Sequence, residues 1–203
     1  MFEMNSSMDK QHGAQLGPPS TSAEFDAAYK APVTPWGDVR IPKELKALTQ
    51  QANLKQILEL GCGLGRFARF MTQQGFEVTA VDFSGVAIER ARRRVAKNAL
   101  KPEFFIGDVT NLGFLKGPFD ASYDVGCFHC LDKRGQSAFA SEVARLLRPG
   151  GIHLMWVMDD SPSGLPVSPA AINAVFAPYF ETTEATAVWR RFARSHWYWL
   201  TRR

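Results

Sequence analysis

Short apolar runs alternating with stretches of helical spacing set the rhythm of this 203-residue chain. The runs predict strands near residues 56–60, 77–81, 103–106, 119–124 and 151–157, with two last strands near 182–190 and 196–202. Between them, Phe67, Phe70 and Met71 share one helix face. Ser84 is placed to cap a helix whose inner face carries Ile88, Ala91 and Val95. Phe139, Val143, Leu146 and Leu147 recur at helical spacing, and Pro149-Gly150-Gly151 is expected to end that helix. Ser168 is placed to cap a helix running through Phe176. Strands alternating with helices predict an α/β fold: one domain with a seven-stranded, mostly parallel sheet and helices on both faces.

Ahead of this core the pattern weakens. Residues 1–22 are rich in Ser, Gly, Gln and Pro and read as a mobile tail. Residues 23–52 are expected to form an N-terminal lid segment before the main domain, 53–203. A short helix is expected from Ala23 to Tyr29, then Pro32, Pro35 and Gly37 break the chain around Trp36. Pro42 to Gln51 reads as another helix, with Leu45 and Leu48 turned inward. At the far end Trp197, Tyr198 and Trp199 are expected to alternate across the last strand.

Composition narrows the classes. A 45% hydrophobic content marks a folded chain. No apolar run approaches the length of a membrane span, and the start has no apolar signal core, so a cytoplasmic location is the expectation. The net charge of +4 is modest. Its basic clusters, at Arg90, Arg92, Arg93, Arg94 and Lys97 and at Arg190, Arg191, Arg194, Arg202 and Arg203, read as solvated faces rather than a nucleic-acid surface. Cys62, Cys127 and Cys130 suit a reducing compartment better than a disulfide framework. Cys127-Phe128-His129-Cys130 has C-x-x-C spacing, but no second ligand pair accompanies it, so no metal site is expected. A redox or metalloid-binding role for Cys62 and Cys127 is the alternative.

The densest chemistry lies in Glu59-Leu60-Gly61-Cys62-Gly63-Leu64-Gly65-Arg66, at the end of the first expected strand. Glycines let the backbone pass close to a ligand, and the helix that follows offers free N–H groups to an anionic end. Asp82 closes the second strand about 20 residues on, where a carboxylate can accept hydrogen bonds from ribose hydroxyls. Together they predict a nucleoside-containing cofactor. Arg66 stands where a dinucleotide fingerprint would place its third glycine.

The segment Leu58 to Gly65 resembles the first motif of class I S-adenosylmethionine-dependent methyltransferases. Further resemblances follow in order: Val81-Asp82-Phe83-Ser84, Ile106-Gly107-Asp108-Val109, Phe119 to Asp124, and Leu146 to Gly151. The resemblance implies a Rossmann-like fold and S-adenosyl-L-methionine as cofactor. It implies cofactor contacts from Trp36, Glu59, Gly61, Cys62, Gly63, Arg66, Asp82, Phe83, Asp108, Val109, Asp124, Gly126 and Phe128. Asp82 would meet the ribose, Phe83 the adenine ring and Asp108 the adenine amino group, with Gly126 and Phe128 along the methionine part.

Asp124-Val125-Gly126-Cys127-Phe128-His129 resembles the D-x-G-C-x-H segment of small bacterial methyltransferases of the thiopurine and tellurite-resistance groups. Val125, where thiopurine-type members tend to carry Arg, and Cys130 depart from that pattern. Thr34-Pro35-Trp36-Gly37 resembles the same group's N-terminal lid. His129 is then either a general base, a substrate contact or a cap for its loop. The implied activity is methyl transfer to a small-molecule acceptor, with oxygen, nitrogen, sulfur and metalloid acceptors all open. A nucleic-acid methyltransferase and a non-catalytic cofactor-binding protein are the alternatives.

Overall fold

The structure, a computed structural model, describes residues 21–32, 34, 36, 40–95, 101–190 and 193–203. Two short helices lead: α1 (Ser22–Lys30) and α2 (Lys43–Leu48). The core then runs β1 (Gln56–Leu60), α3 (Arg66–Gln73), β2 (Glu77–Asp82), α4 (Gly85–Arg93), β3 (Glu103–Ile106) and β4 (Phe119–Val125). It continues through a 3₁₀ turn (Phe128–Cys130), α5 (Lys133–Leu146), β5 (Leu147–Met158), α6 (Pro169–Phe176), β6 (Phe180–Arg190) and β7 (Ala193–Arg202). Most of the expected tail, and Pro35, Gly37 and Lys97, lie outside the described residues. At its inner boundary, however, Ser22 is helical and Thr21 caps it from an extended conformation: Thr21 and Glu24 form a reciprocal cap that opens α1.

The seven strands form one sheet in the order β3-β2-β1-β4-β5-β7-β6. β1 to β5 run parallel and β7 is antiparallel to both β5 and β6. The parallel strands read as continuous apolar runs because helices cover both faces; Ile57, Leu58 and Leu60 are fully buried. Alternation along each strand sorts the core into two layers. Leu58, Leu60, Tyr198 and Leu200 pack with Phe139 and Val143 of α5 and Phe176 of α6. Ile57, Tyr123, Leu154 and Trp197 pack on the other face with Leu45 and Leu48 of α2 and Met71 of α3, and Trp199 joins them. Trp197 and Trp199 thus share the face opposite Tyr198, as the alternation predicts.

One boundary differs from expectation. α5 ends at Leu146, and Pro149-Gly150-Gly151 lies inside β5 rather than closing the helix. The β4–β5 register shifts between Phe119 and Ala121, so these residues form an irregularity in the ladder. A Cβ on Gly151 would lie 2.8 Å from Arg148 O and 3.1 Å from Asp120 O, too close for any larger residue. The strand order reverses between β1 and β4, and the carboxyl ends of the parallel strands lie along that edge, the place where such sheets hold ligands.

Candidate functional site

At the end of β1 the chain turns through Gly61 and Gly63, both at positive φ (68° and 51°). Space forbids a side chain at either. A Cβ on Gly61 would lie 2.6 Å from Cys127 Cβ, and one on Gly63 would lie 2.7 Å from the Tyr29 hydroxyl. The turn is tied across to β2. Cys62 N donates to Val81 O (3.0 Å), and Gly63 N donates to Asp82 Oδ2 (2.7 Å). Ser84 N donates to Asp82 Oδ1 (2.9 Å), so both oxygens of this nearly buried carboxylate are oriented by backbone amides. Burial raises its pKa above the ordinary carboxylate value, with the two amides pulling it back.

Glu59, two residues before the turn, is buried beside its cross-strand neighbour Tyr123. Burial pushes its pKa up to about 8. Its Oε2 has no hydrogen-bond partner among the described residues. Arg66 opens α3 with its guanidinium over the Phe67 ring, 5.7 Å from the centroid.

The N-terminal helix lies over this turn, through residues that the sequence did not single out. Ser22, Phe25, Asp26 and Tyr29 fall at helical spacing on one face of α1. Ser22 Oγ donates to Phe83 O (3.1 Å), and the Phe25 ring meets the Phe83 ring edge-on at 5.1 Å. Asp26 accepts from Ser84 Oγ and from Val86 N (3.3 Å) at the start of α4. Tyr29 is buried above Gly63, accepts from Trp36 Nε1 (3.3 Å), and has its carbonyl held by Arg90. Trp36 is 42% exposed, edge-on to Tyr29 at 5.5 Å. The signal for these contacts was the 22/25/26/29 spacing itself, which mixes polar and aromatic residues and so shows no apolar stripe.

Beyond β3, Asp108 is exposed with Oδ1 engaged by Thr110 N and Oγ1, both at 2.8 Å. Ile106 and Phe114 are exposed apolar neighbours of this end, as is Phe83. Val109 differs from expectation, because its side chain packs into the core.

The loop after β4 supplies the opposite wall. Asp124 is fully buried, and its Oδ1 accepts from Cys127 N (2.9 Å) and Phe128 N (3.2 Å). Burial pushes Asp124 up to about 7. Gly126 sits at φ 90°, its N–H donating to Trp156 O. Cys127 lies against Gly61, which brings the tips of β1 and β4 together, and burial raises the Cys62 and Cys127 thiols well above their ordinary value. Phe128 does not line this wall. It is buried against Phe139 and Phe176, since the 3₁₀ turn rotates its ring into the core.

His129 is also buried. Its Nδ1 accepts from Met158 N (3.0 Å), and its carbonyl accepts from Ser163 Oγ (2.8 Å). With Nδ1 occupied as an acceptor, the neutral ring carries its proton on Nε2. Burial lowers its pKa to about 4.

Among the described residues no group of three or more His, Cys, Asp or Glu side chains is placed to hold a metal ion. Two of the basic residues are used internally: Arg90 bonds the carbonyls of Tyr29 and Ala31, and Arg92 that of Phe104.

Residues 57–151 match the family described as "Methyltransferase domain". An uncharacterized methyltransferase of Schizosaccharomyces pombe is 27% identical over 92 residues, 45% of this chain and 63% of that protein. A fatty-acid O-methyltransferase of Mycolicibacterium smegmatis is 37% identical over 102 residues, 49% of this chain and 36% of that protein. The chain therefore spans less than two thirds of the length of these curated relatives. The structure of the N-methyltransferase NodS from Bradyrhizobium japonicum, in complex with S-adenosyl-L-homocysteine, superposes with a TM-score of 0.75 at 15% identity, covering 91% of this chain and 99% of that one. The family match covers just under half of this chain, and the strand order and the superposition show that it shares the α/β fold of that methyltransferase structure.

Proposed function

We propose that the chain binds S-adenosyl-L-methionine between the glycine turn and Asp82 and transfers its methyl group to a small-molecule acceptor. The observation that carries the reading is the Asp82 carboxylate. It is fixed by the Gly63 and Ser84 amides at the end of β2, where its remaining lone pairs can accept from a ribose diol. Three further features fit the cofactor. The backbone at Gly61 and Gly63 allows close approach, Phe83 and Ile106 present apolar surface suited to an adenine ring, and the unpartnered Glu59 Oε2 suits a cationic amino group. Asp108 and Gly126 complete the proposed cofactor contacts, with Trp36 and Tyr29 covering them.

When bound, this cofactor supplies a methyl group already activated on a sulfonium, so the protein's work is alignment and the exclusion of water. The α1 face, with Tyr29 over Gly63, serves as the cover. His129 acts as a pin for the loop and not as a general base, because Nδ1 is committed to Met158 and the Nε2 face carries a proton. The small-molecule reading is supported by the fatty-acid O-methyltransferase relative and by the internal use of Arg90 and Arg92. A cytoplasmic location belongs to the same proposal, supported by three unpaired thiols.

The test is incubation of the purified full chain with methyl-labelled cofactor and a panel of small thiols, phenols, amines, carboxylic acids and metalloid oxyanions. Label transferred to at least one acceptor is the expected result. Binding without transfer across the panel would favour a non-catalytic cofactor-binding protein, and label found only in added nucleic acid would overturn the small-molecule reading.

A further inference from the structure

Beneath the loop after β4 lies a buried polar row that the proposed chemistry does not use. Ser122 and Asp124 stand two residues apart on one face of β4, and His153 is the register partner of Ser122 on β5. All three are fully buried. Ser122 Oγ and His153 Nδ1 are 2.9 Å apart. The His153 ring stacks on Phe176 at 5.9 Å and packs against Phe139 at 5.7 Å and Phe180 at 6.4 Å, so an apolar box fixes its plane.

Two atoms in this row have no hydrogen-bond partner among the described residues, His153 Nε2 and Asp124 Oδ2, and they face each other across 3.7 Å. Once Asp124 is ionised, its buried Oδ2 is costly to leave without a donor, and a ring whose Nδ1 takes the Ser122 hydroxyl carries its proton on Nε2. The two needs are complementary. A movement of under about 1 Å would bring the pair to hydrogen-bond distance.

We propose that His153 is a positioning residue for the cofactor site: oriented by Ser122, it directs Nε2–H at Asp124 Oδ2. This keeps Asp124 Oδ1 on the amides of Cys127 and Phe128 and the loop closed against Gly61. Burial lowers His153 to about 3, which keeps the ring neutral and a single-proton donor on this side. The loop so held carries Gly126 and the Cys127 side chain that lies against Gly61. That the loop borders a cofactor rests on the function proposed above; the hold on the loop does not.

The experiment separates the two. Amide hydrogen exchange at Cys127 and Phe128 is followed in the ligand-free full chain, alongside calorimetric titration with S-adenosyl-L-methionine. His153→Leu keeps apolar volume in the Phe139/Phe176/Phe180 box but removes the donor, whereas His153→Gln retains an N–H near the Nε2 position. The expected result is at least tenfold faster exchange at both amides in His153→Leu, protection within threefold of wild type in His153→Gln, and cofactor affinity changing in the same order. Ser122→Ala, which releases the ring without changing it, is expected to fall between them and serves if His153→Leu does not fold. Unchanged protection in His153→Leu or Ser122→Ala, or equal loss in the Leu and Gln variants, would overturn the proposal. Wild-type protein that shows the exchange pattern but binds no cofactor would overturn only the functional reading.

Discussion

The Tyr29 hydroxyl occupies the space directly above Gly63, 2.7 Å from where a Cβ on that residue would stand. A residue of the leading helix therefore shapes the turn at the end of β1, more than thirty residues along the chain.

Gly63→Ala is expected to destabilise the fold by about 2–4 kcal/mol, combining left-handed backbone strain with the clash against Tyr29. Because the next Tyr29 atom, Cζ, would stand at 3.4 Å, removing the hydroxyl relieves the worst contact. Tyr29→Phe in the Gly63→Ala background should thus recover part of the loss, which a double-mutant cycle of urea midpoints would show as a favourable coupling. Strict additivity would mean the hydroxyl does not press on the turn.

His129→Ala should leave the Met158 amide without its acceptor and cost about 1–3 kcal/mol of stability. Methyl transfer by the wild-type chain should show no limb that follows the titration of a free imidazole near pH 6.5, because burial holds this ring near 4. A rate that rises with pH through 6.5 and loses that rise in His129→Ala would instead establish the ring as a base.

Stability of the ligand-free chain should fall as pH rises from 6.5 to 8. Asp124 and Glu59, pushed to about 7 and about 8, keep protons in the folded state that the unfolded chain releases above its ordinary 3.8 and 4.5. Folding then binds protons, and raising the pH works against it. Below 6.5 the trend is opposed, since His129 and His153, lowered to about 4 and about 3, stay neutral while unfolded imidazoles gain protons. Urea midpoints should drop by about 1–3 kcal/mol equivalent between pH 6.5 and 8, and Asp124→Asn with Glu59→Gln should flatten that slope. A midpoint that climbs across the same interval would contradict the burial of these carboxyls.

The central strands were legible because β1, β2 and β4 are apolar runs buried on both faces, and Ser84 and Ser168 cap the helices they precede. The start of β5 was not, because Pro149 and Gly150 ordinarily stop regular structure, and only the approach of Asp120 O shows why Gly151 belongs within a strand. Asp82 and the glycine turn were legible from spacing alone. Tyr29 and Asp26 were hidden on a helix with no apolar stripe. The direction of Phe128 depended on the 3₁₀ turn, which local sequence does not specify. His153 carries no signal in the local sequence, because its role depends on Ser122 and Asp124 of the neighbouring strand.

The central claim is that Asp82 anchors S-adenosyl-L-methionine. It is tested most directly by calorimetric titration of the cofactor into the wild-type chain and Asp82→Ala at fixed pH. Saturable one-to-one binding to the wild type is expected, with a loss of about 2–3 kcal/mol, roughly 30- to 150-fold in affinity, in the folded variant. Equal affinity in the two proteins, or no binding to the wild type, would contradict it.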